Sequence, residues 1–136
     1  MRRDIRLFLY GSLLTGTADH DLNRRMRRLL HRARPAVIRA RLYDLGGYPG
    51  AIISRDKSER VYGKLVTIQD PSLLRRLDRY EDHRRHDPGR GEFQRTTIRA
   101  HRLGSGKSIL CWVYIYNGDV SGKRLISGGD YVKFGI

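Results

Sequence analysis

The sequence predicts an α+β domain in which six or seven mostly antiparallel strands form a barrel-like sheet completed by two main helices. Three observations carry this expectation. Several short segments are continuously apolar or alternate apolar with polar, as strands do. Two others repeat their leucines at helical spacing. Clusters of Gly, Pro and Asp stand between them and favour turns. With 136 residues, the chain is too short for two ordinary domains. It is long enough to bury on the order of two thirds of its unfolded surface around one core, so residues 1–136 are expected to form one domain.

Ile5 to Tyr10 is a dense apolar and aromatic run that stops at Gly11-Ser12, a buried first strand entering a tight turn. A helix follows, with Asp19 or Asp21 as cap and Leu22, Met26, Leu29 and Leu30 on one face; Arg24, Arg25, Arg27, Arg28 and Arg32 fall largely on the other, and Pro35 ends it. Ala36 to Tyr43 reads as a strand, Asp44 to Gly50 as a turn, and Ala51 to Ser54 as a short strand. Arg60 to Ile68 places Val61, Gly63 and Leu65 on one face and Tyr62, Lys64, Val66 and Ile68 on the other, a strand packed on both sides. Asp70-Pro71 starts a second helix, with Asp70 as N-cap and Pro71 where its missing N–H costs nothing. Leu73, Leu74, Leu77 and Tyr80 point inward from it, and Glu81 stands at its end, near the rim of the core. Asp82 to Gly91 is a polar loop. Phe93 to Arg102 and Ser108 to Asn117 are strands joined by a hairpin turn over residues 103–107, and the tail from Ile126 to Val132 is turn-like, then apolar.

Lys and Arg number 28 against 14 Asp and Glu, a formal net charge of +14. Such a balance suits phosphate-bearing partners. The basic residues are 23 Arg and 5 Lys, and 11 of the arginines fall in residues 1–41 with only Asp4, Asp19 and Asp21 to offset them. That stripe is either a binding surface or a solvated face. No apolar stretch approaches the roughly 18–20 residues of a membrane span, and the apolar run after Met1-Arg2-Arg3-Asp4 is too short for a signal-peptide core. A soluble, unprocessed protein is expected, with no membrane partner. The single cysteine, Cys111, cannot form an internal disulfide, which favours the cytoplasm.

Several constellations have a chemical and a plain reading. Gly104-Ser105-Gly106-Lys107-Ser108 ends like a phosphate-binding loop, but His101 occupies the place of the first glycine and no helix follows, so a hairpin turn is expected. Asp82, His83, His86 and Asp87 offer metal-ligand types without a third cluster at ligand spacing, and no metal is expected. Cys111, beside Trp112 in a strand pattern, reads as a core thiol. No Gly-x-Ser-x-Gly elbow makes Ser12 a nucleophile. The junction Tyr10-Gly11-Ser12-Leu13 is either an ordinary strand-ending turn or a small anion site of successive backbone N–H groups able to hold a carboxylate. Glu81 is either the first exposed position after the helix, paired with a nearby arginine, or a part-buried carboxyl whose raised pKa suits proton transfer.

Taken in order, these segments resemble the γ-glutamylcyclotransferase-like family, which includes the γ-glutamylamine cyclotransferases and the plant avirulence-induced proteins. Leu7-Phe8-Leu9-Tyr10-Gly11-Ser12-Leu13 is similar to the family's opening strand and Tyr-Gly-Ser/Thr-Leu loop, and Asp19-His20 stands where relatives often have Asn-His. Leu42 to Gly50 resembles its Tyr-Pro-Gly turn, Val61-Tyr62-Gly63-Lys64-Leu65 its Val-x-Gly-Glu-Leu strand, and Leu77-Asp78-Arg79-Tyr80-Glu81 the Leu-Asp-x-x-Glu segment bearing the catalytic glutamate. Phe93-Gln94-Arg95, Trp112 to Tyr116 and Ser127 to Tyr131 follow the later elements. The chain departs from the pattern after the glutamate, where Asp82-His83 and a basic loop replace the usual Gly; a second carboxylate there would raise the pKa of Glu81 or redirect substrate choice.

The resemblance implies cyclisation of a γ-glutamyl amine or peptide to 5-oxoproline and a free amine. Glu81 would be the general acid/base, and Tyr10, Gly11, Ser12 and Leu13 would bind the small-molecule substrate. No cofactor, metal, nucleotide or covalent intermediate is required. The alternative is a non-catalytic binding module using the Arg-rich face for nucleic acid or an acidic partner, although RNA-binding strand signatures and a helix-turn-helix are absent from the sequence.

Overall fold

The computed structural model describes residues 4–134, with side chains through residue 132. Its strands are β1 (Ile5–Leu9), β2 (Arg34–Ile38), β3 (Ala40–Asp44), β4 (Pro49–Ile53), β5 (Val61–Ile68), β6 (Phe93–Arg102), β7 (Ser108–Tyr116) and β8 (Arg124–Leu125). The helices are α1 (Ser12–Thr15), α2 (His20–Leu30), α3 (Pro71–Tyr80) and α4 (Tyr131–Phe134), with a 3₁₀ turn at Pro88–Arg90. Five strands close into a barrel in the order β1-β5-β2-β6-β7, and β4-β3-β8 form a separate sheet. All pairings are antiparallel except the one that closes the barrel, where β1 runs parallel to β7 with Leu7 opposite Trp112 and Phe8 opposite Val113.

The strand period of two divides the core between two spaces. Phe8, Tyr10, Ala36, Ile38, Val61, Leu65, Ala100 and Val113 fill the barrel. Leu7, Leu9, Val66 and Ile68 point the other way and pack with Leu22 and Met26 of α2 and Leu73 and Leu77 of α3. The two-faced pattern expected for β5 is therefore realised, with Lys64 exposed. Gly63 is the close approach within this strand: a Cβ there would stand 2.1 Å from the Leu9 carbonyl oxygen.

Each main helix begins at an aspartate. The Asp19 carboxylate accepts from the Leu22 N–H at 3.0 Å, and that of Asp70 from the Ser72 N–H at 2.9 Å. Arg76 on α3 forks to Asp19 and Asp21, while Arg25 on α2 reaches Asp70 at 3.0 Å, so the N-terminal caps also join the helices. Three local expectations are corrected. The strand expected from Ala36 to Tyr43 is two, broken at Arg39, whose carbonyl accepts from Ser54 N–H while Ile38 and Ala40 on either side both enter the barrel core. The turn after Tyr10 contains a four-residue helix. Tyr80 is 39% exposed rather than inward, because its hydroxyl is held by Ser12.

Candidate active site

Tyr10 leaves the end of β1 pointing into the barrel core. Its hydroxyl donates to the Tyr114 carbonyl at 2.6 Å and accepts from the Ala51 N–H at 3.1 Å. Burial, with the Glu81 charge adding to it, holds the phenol far above its usual pKa, so it stays neutral and anchors the turn. Gly11 then caps α1, its carbonyl accepting from Leu14 N–H at 2.8 Å. The N–H groups at the start of a helix have no acceptor within it. Ser12 Oγ shares a 2.8 Å hydrogen bond with Tyr80 OH, which ties this turn to the end of α3.

Glu81 is the C-cap of α3, its N–H donating to the Leu77 carbonyl at 2.9 Å. It is part-buried, and with Tyr10, Gly11, Ser12 and Leu13 it lines one recess whose other walls include Phe8, Tyr48, Pro49, Phe93 and Tyr114. The cavity measures about 30 Å³, room for roughly one or two waters. Burial first, and the Glu92 charge second, push the Glu81 carboxyl up to about 8. A carboxyl poised near neutrality, open to a pocket and without an arginine ion pair among the described residues, can take and return a proton.

The neighbouring carboxylate that acts on Glu81 is Glu92, not Asp82 as the sequence suggested. Asp82 adopts φ 56°, a left-handed conformation in which glycine is the unstrained residue. Its carboxylate accepts from the Glu92 N–H at 3.0 Å and pairs with Arg84 at 3.4 Å, and the backbone hydrogen bond is the largest influence lowering its pKa. An aspartate thus replaces the glycine of the resembled pattern by hydrogen-bonding the loop it turns into. Across the recess, Tyr48 follows Gly46 and Gly47, at φ 104° and 102°, and its hydroxyl donates to the Glu92 carboxylate. That hydrogen bond, then burial, pushes the Tyr48 phenol up to about 12.

Beneath Glu81 lies a charged network that sequence reasoning missed. Asp78 is 7% exposed. Arg95 grips both its oxygens, Nε at 2.8 Å and Nη2 at 3.1 Å, and Tyr114 OH donates to it at 2.8 Å. The Arg95 guanidinium also lies 4.5 Å over the Trp112 ring. His83 N–H donates to the Asp78 carbonyl, and His83 Nδ1 accepts from the Arg95 N–H at 2.9 Å. Burial lowers the His83 pKa, consistent with a neutral acceptor ring. The available signal was a carboxylate directly after Leu77, one turn beyond Leu74, within the inward stripe of α3.

The remaining candidates separate. Among the described residues, no group of three or more His, Cys, Asp or Glu side chains could hold a metal. Gly104 to Ser108 is a hairpin closed by hydrogen bonds from Arg102 N–H to the Lys107 carbonyl and from Gly106 N–H to the Arg102 carbonyl. Cys111 is buried, and burial pushes its thiol up to about 11. On the Arg-rich face, Arg24 pairs with Asp21 and Arg25 with Asp70, while Arg27, Arg28 and Arg32 border an open groove of about 900 Å³. No helix among the described residues is long and apolar enough to cross a membrane.

Comparison with known proteins agrees with this architecture. Residues 7–133 match the family described as "Gamma-glutamyl cyclotransferase, AIG2-like". The chain is 30% identical over 128 residues to the γ-glutamylcyclotransferase family protein ytfP of Citrobacter rodentium, covering 94% of this chain and 96% of that one. The solution structure of ytfP from Escherichia coli aligns with a TM-score of 0.60 at 26% identity, over 97% of this chain and all (100%) of that one. An AIG2-like protein from Mus musculus shares the fold at a TM-score of 0.63 and 22% identity, over 88% and 82% of the two chains. From the opening strand to the C-terminal turn, the chain belongs to the AIG2-like γ-glutamyl cyclotransferase family.

Proposed function

We propose that this protein cyclises a γ-glutamyl amine or γ-glutamyl peptide to 5-oxoproline and a free amine, with Glu81 as general acid/base. The observation that carries the proposal is the shared recess of Glu81 and the Tyr10–Leu13 turn. The Gly11–Leu13 N–H groups hold the substrate α-carboxylate, and Tyr10 fixes their orientation. Ionised Glu81 takes a proton from the α-ammonium, and the freed amine attacks the γ-carbonyl carbon. A C–N bond closes the five-membered lactam, and the original amide C–N bond breaks as Glu81 returns its proton to the leaving nitrogen. The second proton, lost by the attacking nitrogen as it becomes the lactam N–H, is taken up by the released amine or by water. Both reacting groups belong to one molecule, so holding the glutamyl chain folded is the protein's main contribution; the proton shuttle adds about 10²–10⁴-fold.

The test is product analysis of purified protein with a panel of γ-glutamyl amines and peptides. The expected result is 5-oxoproline and amine released one to one, with none from the α-linked isomers, whose geometry cannot close the same ring. Release of glutamate in place of 5-oxoproline would assign hydrolysis and overturn the proposal.

A further inference from the structure

Beyond the cyclisation chemistry, and independent of it, we propose a second ligand site, for a small polyphosphate-bearing molecule, in the groove between the end of β2, the β4–β5 loop and the β6–β7 hairpin. This groove has a volume of about 530 Å³ and is bordered by Arg39, Lys57, Arg60, His101, Arg102 and Leu103, with no acidic residue along it. Phe93 at the other end of β6 lines the Glu81 recess, and the ten-residue strand separates the two by roughly 30 Å.

Two independent observations point to an anion. Arg24, Arg25, Arg41, Arg76, Arg84, Arg90 and Arg95 each have a carboxylate partner, whereas Arg27, Arg28 and Arg32 beside α2 have no such partner among the described residues. Among the described residues, Arg39, Lys57, Arg60 and Arg102 have none. The acids of the adjoining loop are already engaged, Asp56 by Ser58 and Glu59 by Ser54 and Arg41. The second observation is Arg102 Nε, the one buried side-chain nitrogen or oxygen without a hydrogen-bond partner among the described residues. Native structures rarely leave such a donor unmet, and a shift of the Arg102 side chain that turns Nε toward the groove would let an anion there supply its acceptor. Four fixed cations along one groove exceed what a single phosphate neutralises, which favours a ligand with two or more. Exposed Leu103, beside Val37 and Ile38, offers an apolar surface to a nucleoside, should the phosphates belong to one.

The experiment is calorimetric titration of the full chain with inorganic triphosphate and with ATP at physiological salt. Comparison is made with an Arg39→Gln/Lys57→Gln/Arg60→Gln variant and with a charge-matched control, Arg27→Gln/Arg28→Gln/Arg32→Gln. The expected result is binding that falls at least tenfold in the groove variant and is retained in the control, with 5-oxoproline release unchanged in both. Equal affinity for triphosphate and ATP assigns recognition to the phosphates alone; tighter ATP binding adds the nucleoside. Absence of binding, an equal loss in the control, or preference for a long oligonucleotide over ATP would overturn the inference.

Discussion

Burial and the Glu92 charge act in the same direction on Glu81, and that has consequences for both rate and stability. A base near 8 is mostly protonated at neutral pH, so kcat/KM is expected to rise with pH along a limb centred near 8. Glu92→Gln removes a repulsive charge and is expected to move that limb to lower pH; an unmoved limb in a pH–rate profile contradicts the assignment. Between about pH 4.5 and 8 the folded state keeps a proton on Glu81 that the unfolded chain has lost, so stability contributed by this group falls as pH rises. Glu81→Gln abolishes that slope and is expected to raise stability at pH 8 and above by on the order of 1–3 kcal/mol, read by denaturant unfolding. Asp78 behaves oppositely: Asp78→Ala leaves the Arg95 guanidinium buried without its carboxylate and is expected to cost about 3–5 kcal/mol in the same measurement. Of these residues, Glu81 was legible through its motif and place at a helix end. Glu92 and Arg95 were not, because their charges matter only through contacts made across the fold.

At the scale of elements, the cavity beside Glu81 is too small for a glutamyl group, so entry of the proposed substrate requires a wall to move. Tyr48 is the wall best placed to do so, 36% exposed and carried on the Gly46–Gly47 turn. Its Glu92 hydrogen bond and the 3.0 Å bond from Tyr131 OH to the Gly47 carbonyl hold Tyr48 and its turn in place. Tyr48→Phe is expected to change KM by several-fold more than kcat in steady-state kinetics, whereas a chemical role for the hydroxyl would appear mainly in kcat. Gly47→Ala, which places a Cβ at φ 102°, is expected to destabilise by about 1–2 kcal/mol in a thermal melt. Helix starts and the two-faced β5 were readable from local chemistry, since caps and periodicity are local. The break at Arg39 was not, because apolar positions continue on both sides of it and the change of sheet is decided by pairing, β2 joining β5 and β6 of the barrel while β3 turns back on β4 and meets distant β8.

For the whole molecule, the sequence supported a mostly antiparallel barrel, while its closure by a parallel β1–β7 pair depends on a contact between chain segments more than one hundred residues apart. The charge of +14 likewise acquires structure only in three dimensions. Part of it joins α2 to α3, part grips Asp78, and part borders open grooves with no ion pair among the described residues. Neutralising Arg27 and Arg28 removes cations that complement the C-terminal end of α2 and is expected to cost about 0.3–1 kcal/mol each at low salt, less at high salt, without altering 5-oxoproline release. The proposed chemistry rests instead on one carboxyl facing one backbone turn. Its most direct test is 5-oxoproline release by Glu81→Gln, measured beside the parent protein with folding checked by circular dichroism. A loss of about 10²–10⁴-fold in kcat with the fold intact is the predicted result, and a Gln variant retaining activity within a few-fold of the parent would contradict the role assigned to Glu81.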